Sequence, residues 1–113
     1  MNADARKLLW DAQQAAERVA RFIHGKTFAD YRADEFLRSA VERQLEIIGE
    51  ALSQLRRVDA ATAASIAELP RIVGFRNVLV HRYANLDNRI VWGIIETNLD
   101  SLRKSLESLL AHP

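Results

Sequence analysis

Cysteine is absent from this chain, which excludes disulfide bonds and thiolate chemistry and suits a reducing compartment. Glycine and proline are scarce, at 4 and 2 residues of 113, too few for the many tight turns of a β protein and suited to long helices. No long hydrophobic run occurs. The longest, Ile90-Val91-Trp92-Gly93-Ile94-Ile95, is far short of the roughly 18 residues needed to span a bilayer. The first residues, Met1-Asn2-Ala3-Asp4-Ala5-Arg6, carry no apolar core of a secretory signal. A cytoplasmic protein without membrane contact is expected. An excess of one charge is also missing: 16 Lys and Arg stand against 15 Asp and Glu, so net charge alone gives no pull toward nucleic acid.

What is present reads as one globular α-helical domain over residues 1–113, with 49% hydrophobic and 27% charged residues. The cations are biased: 13 are Arg and 3 are Lys, and Arg is the better bidentate partner for phosphate. They are also uneven, since Arg71, Arg76, Arg82 and Arg89 face only Asp87 in the stretch 71–89. No His-x-x-x-His pair, Asp-rich loop or Gly-rich phosphate loop appears, so neither a metal site nor any cofactor is expected.

Hydrophobic periodicity divides the chain into helices. A first helix is predicted over about 3–24, with Leu8, Ala12, Ala15, Val19 and Phe22 on one side and Gly25 as its stop. Residues 26–33 connect it, with a turn of helix around Phe28 and Tyr31. A second long helix, about 34–57, starts at an Asp34 cap and carries the stripe Leu37, Val41, Leu45, Ile48, Leu52 and Leu55. Glu42, Glu46 and Glu50 form another row on it, expected to be a solvated acidic face. Gly49 in mid-helix costs about 1 kcal/mol relative to Ala, which close approach of another backbone would explain. Asp59 caps an Ala-rich turn, and Pro70 begins a helix to about 83 with Ile72, Phe75 and Leu79 in the core. Asn85 and Asp87 suit a turn and cap before a last helix, about 88–111, built on Val91, Ile95, Leu99, Leu102, Leu106 and Leu109. Short connections make this an antiparallel up-and-down bundle. Residues 72–80 and 90–95 are apolar nearly all round, so they need burial on two sides. Either a second copy of the chain or the flanking segments 26–33 and 58–68 would provide the other side.

His24 and His112 sit at predicted helix C-termini, where an imidazole is electrostatically comfortable. His81 lies in the run Arg76-Asn77-Val78-Leu79-Val80-His81-Arg82-Tyr83. At about 100° per residue, Asn77 and His81 fall about 40° apart, Arg76 and Tyr83 about 20° apart, and Arg76 and His81 about 140° apart. The residues alone leave two interpretations open. His81 is a helix-end histidine, or it is the acid or base of a polar site in which Arg76 clamps phosphate.

The run matches the pattern R-x-x-x-x-H-x-Y and resembles the signature of HepT-like toxins of the HEPN superfamily. Ala40-Val41-Glu42-Arg43-Gln44-Leu45-Glu46-Ile47-Ile48-Gly49-Glu50-Ala51 is similar to the family's second block, and Asp87-Asn88-Arg89-Ile90-Val91-Trp92 to the segment after its motif. The three blocks stand in order, and the likeness extends over nearly the whole chain. The resemblance implies an all-α HEPN bundle that forms a homodimer with both motifs in one cleft. It implies a metal-independent endoribonuclease acting on RNA as the toxin of a type VII toxin–antitoxin pair. Arg76 and His81 would be the catalytic residues and Asn77 a supporting one. The partner would be a minimal nucleotidyltransferase of the MntA type that transfers AMP from ATP to Tyr83. The competing expectation is a non-catalytic HEPN adaptor or nucleotide-binding partner of a nucleotidyltransferase, in which Arg76 and His81 only hold a phosphate.

Overall fold

The computed structural model describes residues 1–80 and 86–112, and every element in them is helical. Asn2 caps the first helix, α1 (Ala3–Ile23), by accepting from the Ala5 amide at 2.7 Å. The helix ends where Gly25 adopts a φ of 74°, a conformation that residues with a Cβ avoid. A short helix, α2 (Phe28–Ala33), follows behind a reciprocal capping box: Thr27 Oγ1 accepts from the Asp30 amide and Asp30 Oδ2 from the Thr27 amide. Helix α3 (Glu35–Val58) begins at Asp34, whose Oδ1 accepts from the Leu37 amide at 3.0 Å. Asp59 caps the Ala-rich turn α4 (Ala60–Ala64) through Thr62. Helix α5 (Leu69–Val80) and helix α6 (Asn88–Ala111) complete the chain. Asp87 caps α6 as expected, whereas Asn85 and the expected end of α5 fall outside the described residues.

Helix α1 runs antiparallel to both α3 and α6. Arg18 meets Gln44, while Leu8 and Trp10 share a groove with Ala51 and Gln54. Against α6, Glu17 grips Arg103 with both oxygens, at 2.7 and 2.8 Å, and Arg6 shares a pocket with Leu110. The arginine holds the Glu17 carboxyl below its ordinary range.

Lying between two helices, α1 buries a broader face than a single stripe provides. Leu9, Ala12, Ala15, Ala16 and Val19 are fully buried, while Leu8 and Phe22, expected in the core, are half-buried at its margin. The stripe of α3 is buried throughout, as are Ile72, Phe75 and Leu79 of α5 and Val91, Ile95, Leu99, Leu102 and Leu106 of α6. Leu109 is half-buried. Each fully buried aliphatic side chain contributes about 1.5–3 kcal/mol relative to exposure.

Two contacts fix α5. At its start, Ser101 of α6 donates to Oε1 of Glu68, which is 6% exposed and also accepts the Ile72 amide on its backbone carbonyl. In its middle, α5 lies on α3 at Gly49. A Cβ there would stand 2.4 Å from the Cβ of Arg76 and 3.4 Å from the carbonyl oxygen of Ile72. The mid-helix glycine is therefore explained by close helix approach.

Candidate active site

Of the four residues singled out by the motif, Arg76 and Asn77 lie on α5, and His81 and Tyr83 lie outside the described residues. Arg76 is half-buried and Asn77 exposed. The stem of Arg76 rests on the bare backbone of Gly49, and its guanidinium Nη2 forms an ion pair with Glu50 Oε2 at 2.6 Å. The other Glu50 oxygen, Oε1, accepts a hydrogen bond from Gln54 Nε2 at 2.9 Å, one turn further along α3. A line Gln54–Glu50–Arg76 thus crosses from α3 to α5.

This arrangement changes the expected solvated acidic face of α3. Glu42, Glu46 and Glu50 are all half-buried, Glu46 faces Arg43 at 3.6 Å, and Glu50 is bound on both oxygens. Neither Glu50 nor Gln54 was singled out from sequence as part of a site. The signals were present separately, as a glycine needing a close neighbour and a glutamate next to it. Nothing in a one-dimensional pattern says that the neighbour is Arg76.

Arg71 and Arg89 are exposed on α5 and on the first turn of α6. The groove of about 310 Å³ between α1 and α3 borders Glu50, but Asp11 and Glu46 offset its Arg18 and Arg43. Among the described residues no three His, Asp or Glu side chains converge as a metal site would require. His24 and His112 are exposed C-caps, as expected.

The strongly apolar segments are covered in part from within the chain. Trp92 packs against α2, with ring centroids 5.3 Å from Tyr31 and 6.4 Å from Phe28, and Val73, Ile94 and Ile95 are buried. Val78, Val80 and Ile90 are still about half exposed, at 49%, 46% and 51%.

A bundle of this kind, with an R-x-x-x-x-H-x-Y sequence beginning on α5, is an all-α fold of the HEPN type. The chain belongs to the HepT-like ribonuclease family, whose sequence profile matches residues 12–109. It is 29% identical over 106 residues to a protein of Methanocaldococcus jannaschii named as a candidate RNase, covering 92% of this chain and 94% of that protein. It is 32% identical over 97 residues to another candidate RNase, of Caldanaerobacter subterraneus subsp. tengcongensis, covering 86% of each. A protein of Thermococcus cleftensis named probable ribonuclease HepT is 30% identical over 111 residues, which are 96% of this chain and 98% of that one. No solved structure matches the chain. No described helix is long and apolar enough to cross a membrane.

Proposed function

We propose that this chain is a metal-independent endoribonuclease toxin whose catalytic residues are Arg76 and His81. The observation that carries this is the placement of Arg76. In a member of a ribonuclease family, it stands half-buried on α5 with its guanidinium ordered by Glu50, five residues before His81. RNA brings its own nucleophile, the 2′-hydroxyl. His81 in its neutral form takes the hydroxyl proton, and the 2′-oxygen attacks the adjacent phosphorus. Arg76 stabilises the extra negative charge of the phosphorane, a preorganised electrostatic role. The 5′-oxygen then leaves and gains a proton, giving a 2′,3′-cyclic phosphate and a 5′-hydroxyl. Asn77 supports the site from the next position on α5.

The half-exposed Val78, Val80 and Ile90 support a homodimer through α5 and the start of α6, which would place two motifs in one cleft. Such an interface should bury on the order of 2,000 Å². Neutralisation is assigned to AMP transfer onto Tyr83 by a small nucleotidyltransferase. The modification adds a phosphodiester that would compete with RNA for Arg76 or Arg82. Expression in a bacterial host tests the proposal. Growth arrest by the wild-type chain, lost with His81→Ala and relieved by the partner enzyme, is expected. Arrest that persists in His81→Ala would leave His81 as a structural helix-end residue. A chain that binds nucleotide and the partner but cleaves no RNA would be the adaptor.

A further inference from the structure

We propose that Glu50 is a positioning residue that holds the Arg76 guanidinium in its working orientation, and that Gln54 in turn fixes Glu50. The inference rests on the ribonuclease assignment above. An arginine side chain has four rotatable bonds, and a clamp for a phosphorane must present its donors in one orientation. Three contacts restrict it here. Gly49 leaves room for the stem of Arg76 directly on the α3 backbone, since a Cβ at Gly49 would fall 2.4 and 2.8 Å from Arg76 Cβ and Cγ. Glu50 Oε2 holds Nη2 at 2.6 Å. Gln54 Nε2 occupies Glu50 Oε1 at 2.9 Å, so the carboxylate cannot swing freely.

The contact engages Nη2, one of three nitrogens in a group with five N–H donors, and a guanidinium can bind a carboxylate and a phosphate together. The two side chains are 30% and 43% exposed, and an ion pair this open to water adds little to stability. Its effect is therefore expected on the orientation of Arg76. Outer contacts that orient a functional group commonly matter in this way. The same carboxylate places a negative charge beside the incoming phosphate, so Glu50 should weaken RNA binding while raising turnover.

The test is steady-state cleavage of a short fluorescent RNA by wild type, Glu50→Gln, Gln54→Ala and Arg76→Ala, with melting temperatures for each. Glu50→Gln should lower kcat by roughly 10- to 100-fold, the scale of a misplaced reacting group, with KM equal or lower and melting little changed. Gln54→Ala should lower kcat in the same direction by less. A wild-type kcat in both Glu50→Gln and Gln54→Ala overturns the inference, as does a raised KM with kcat unchanged. If Arg76→Ala cleaves as the wild type does, the ribonuclease assignment falls and this inference with it. A silent Glu50→Gln beside an inactive Arg76→Ala removes only the inference.

Discussion

Gly49→Ala sets two opposed effects against each other. In an exposed helix interior this exchange stabilises by about 1 kcal/mol, because Ala has less backbone freedom to lose. In α3 the added methyl meets Arg76 Cβ at 2.4 Å, Arg76 Cγ at 2.8 Å and the Ile72 carbonyl oxygen at 3.4 Å. Ordinary contact between carbons begins near 3.5 Å, so α5 has to move away by roughly 1 Å. A rotamer change cannot relieve this, because the nearest atom is the root of the Arg76 side chain. Overpacking of this kind costs about 1–3 kcal/mol. Set against the helix gain, the net expectation is a destabilisation of about 0–2 kcal/mol. Function should suffer more than stability. A shift of roughly 1 Å takes Arg76 out of line with Glu50, and misplacement on that scale costs roughly 100-fold in rate. Urea unfolding and RNA cleavage by the same preparation measure both. A variant about 1 kcal/mol more stable than wild type, with undiminished cleavage, would refute the tight approach of α3 and α5.

Three further outcomes are expected. Val78→Asp and Ile90→Asp, at positions about half exposed in the single chain, should leave the helical content intact and convert a dimer to monomers by light scattering. A wild-type monomer at micromolar concentration contradicts the dimer. Ile94, 3% exposed, is unsuitable as such a probe because Asp there breaks the core itself. Tyr83→Phe should cleave RNA normally and gain no AMP when incubated with the nucleotidyltransferase and ATP, as intact mass would show; an AMP increment in Tyr83→Phe places the modification elsewhere. Arg103→Gln should destabilise by ~0.5–1 kcal/mol at neutral pH, a small figure because both partners are about a third exposed (34% and 36%). Hydrogen bonding to Arg103 lowers the folded-state value of Glu17 below its ordinary 4.5. The pair's contribution is therefore full above that ordinary value and fades as pH falls through the lower, folded one. The difference in thermal stability between wild type and variant should shrink in acid; a pH-independent difference would point to lost packing instead.

Much of this molecule is legible in one dimension because its helices are long and their caps are local. Asp34, Asp59 and Asp87 each cap the helix that follows them, and the Leu37-to-Leu55 stripe faces inward without exception. Local patterns are less informative where a helix has two neighbours. Leu8 satisfies the three- and four-residue spacing as well as Leu9 does, and only the position of α1 between α3 and α6 makes Leu9 the buried one. The capping box Thr27–Asp30 stands ahead of a helix of only 6 residues, too short for an apolar stripe to mark it. Glu68 was invisible for a different reason, since the hydroxyl that donates to its Oε1, on Ser101, lies 33 residues away. The candidate site divides in the same manner. Arg76 was marked by the motif, while Glu50 and Gln54 depend on which face of α3 meets α5, a fact of packing.

The central claim is that Arg76 and His81 cut RNA without a metal. It is tested most directly by incubating defined RNA with wild type, Arg76→Ala and His81→Ala in excess EDTA and sequencing the ends. Wild type should leave 2′,3′-cyclic phosphate and 5′-hydroxyl ends in the presence of chelator, and both variants should leave the RNA intact while keeping their helical content. Cleavage that survives in Arg76→Ala, or that appears only after a divalent cation is restored, would contradict it.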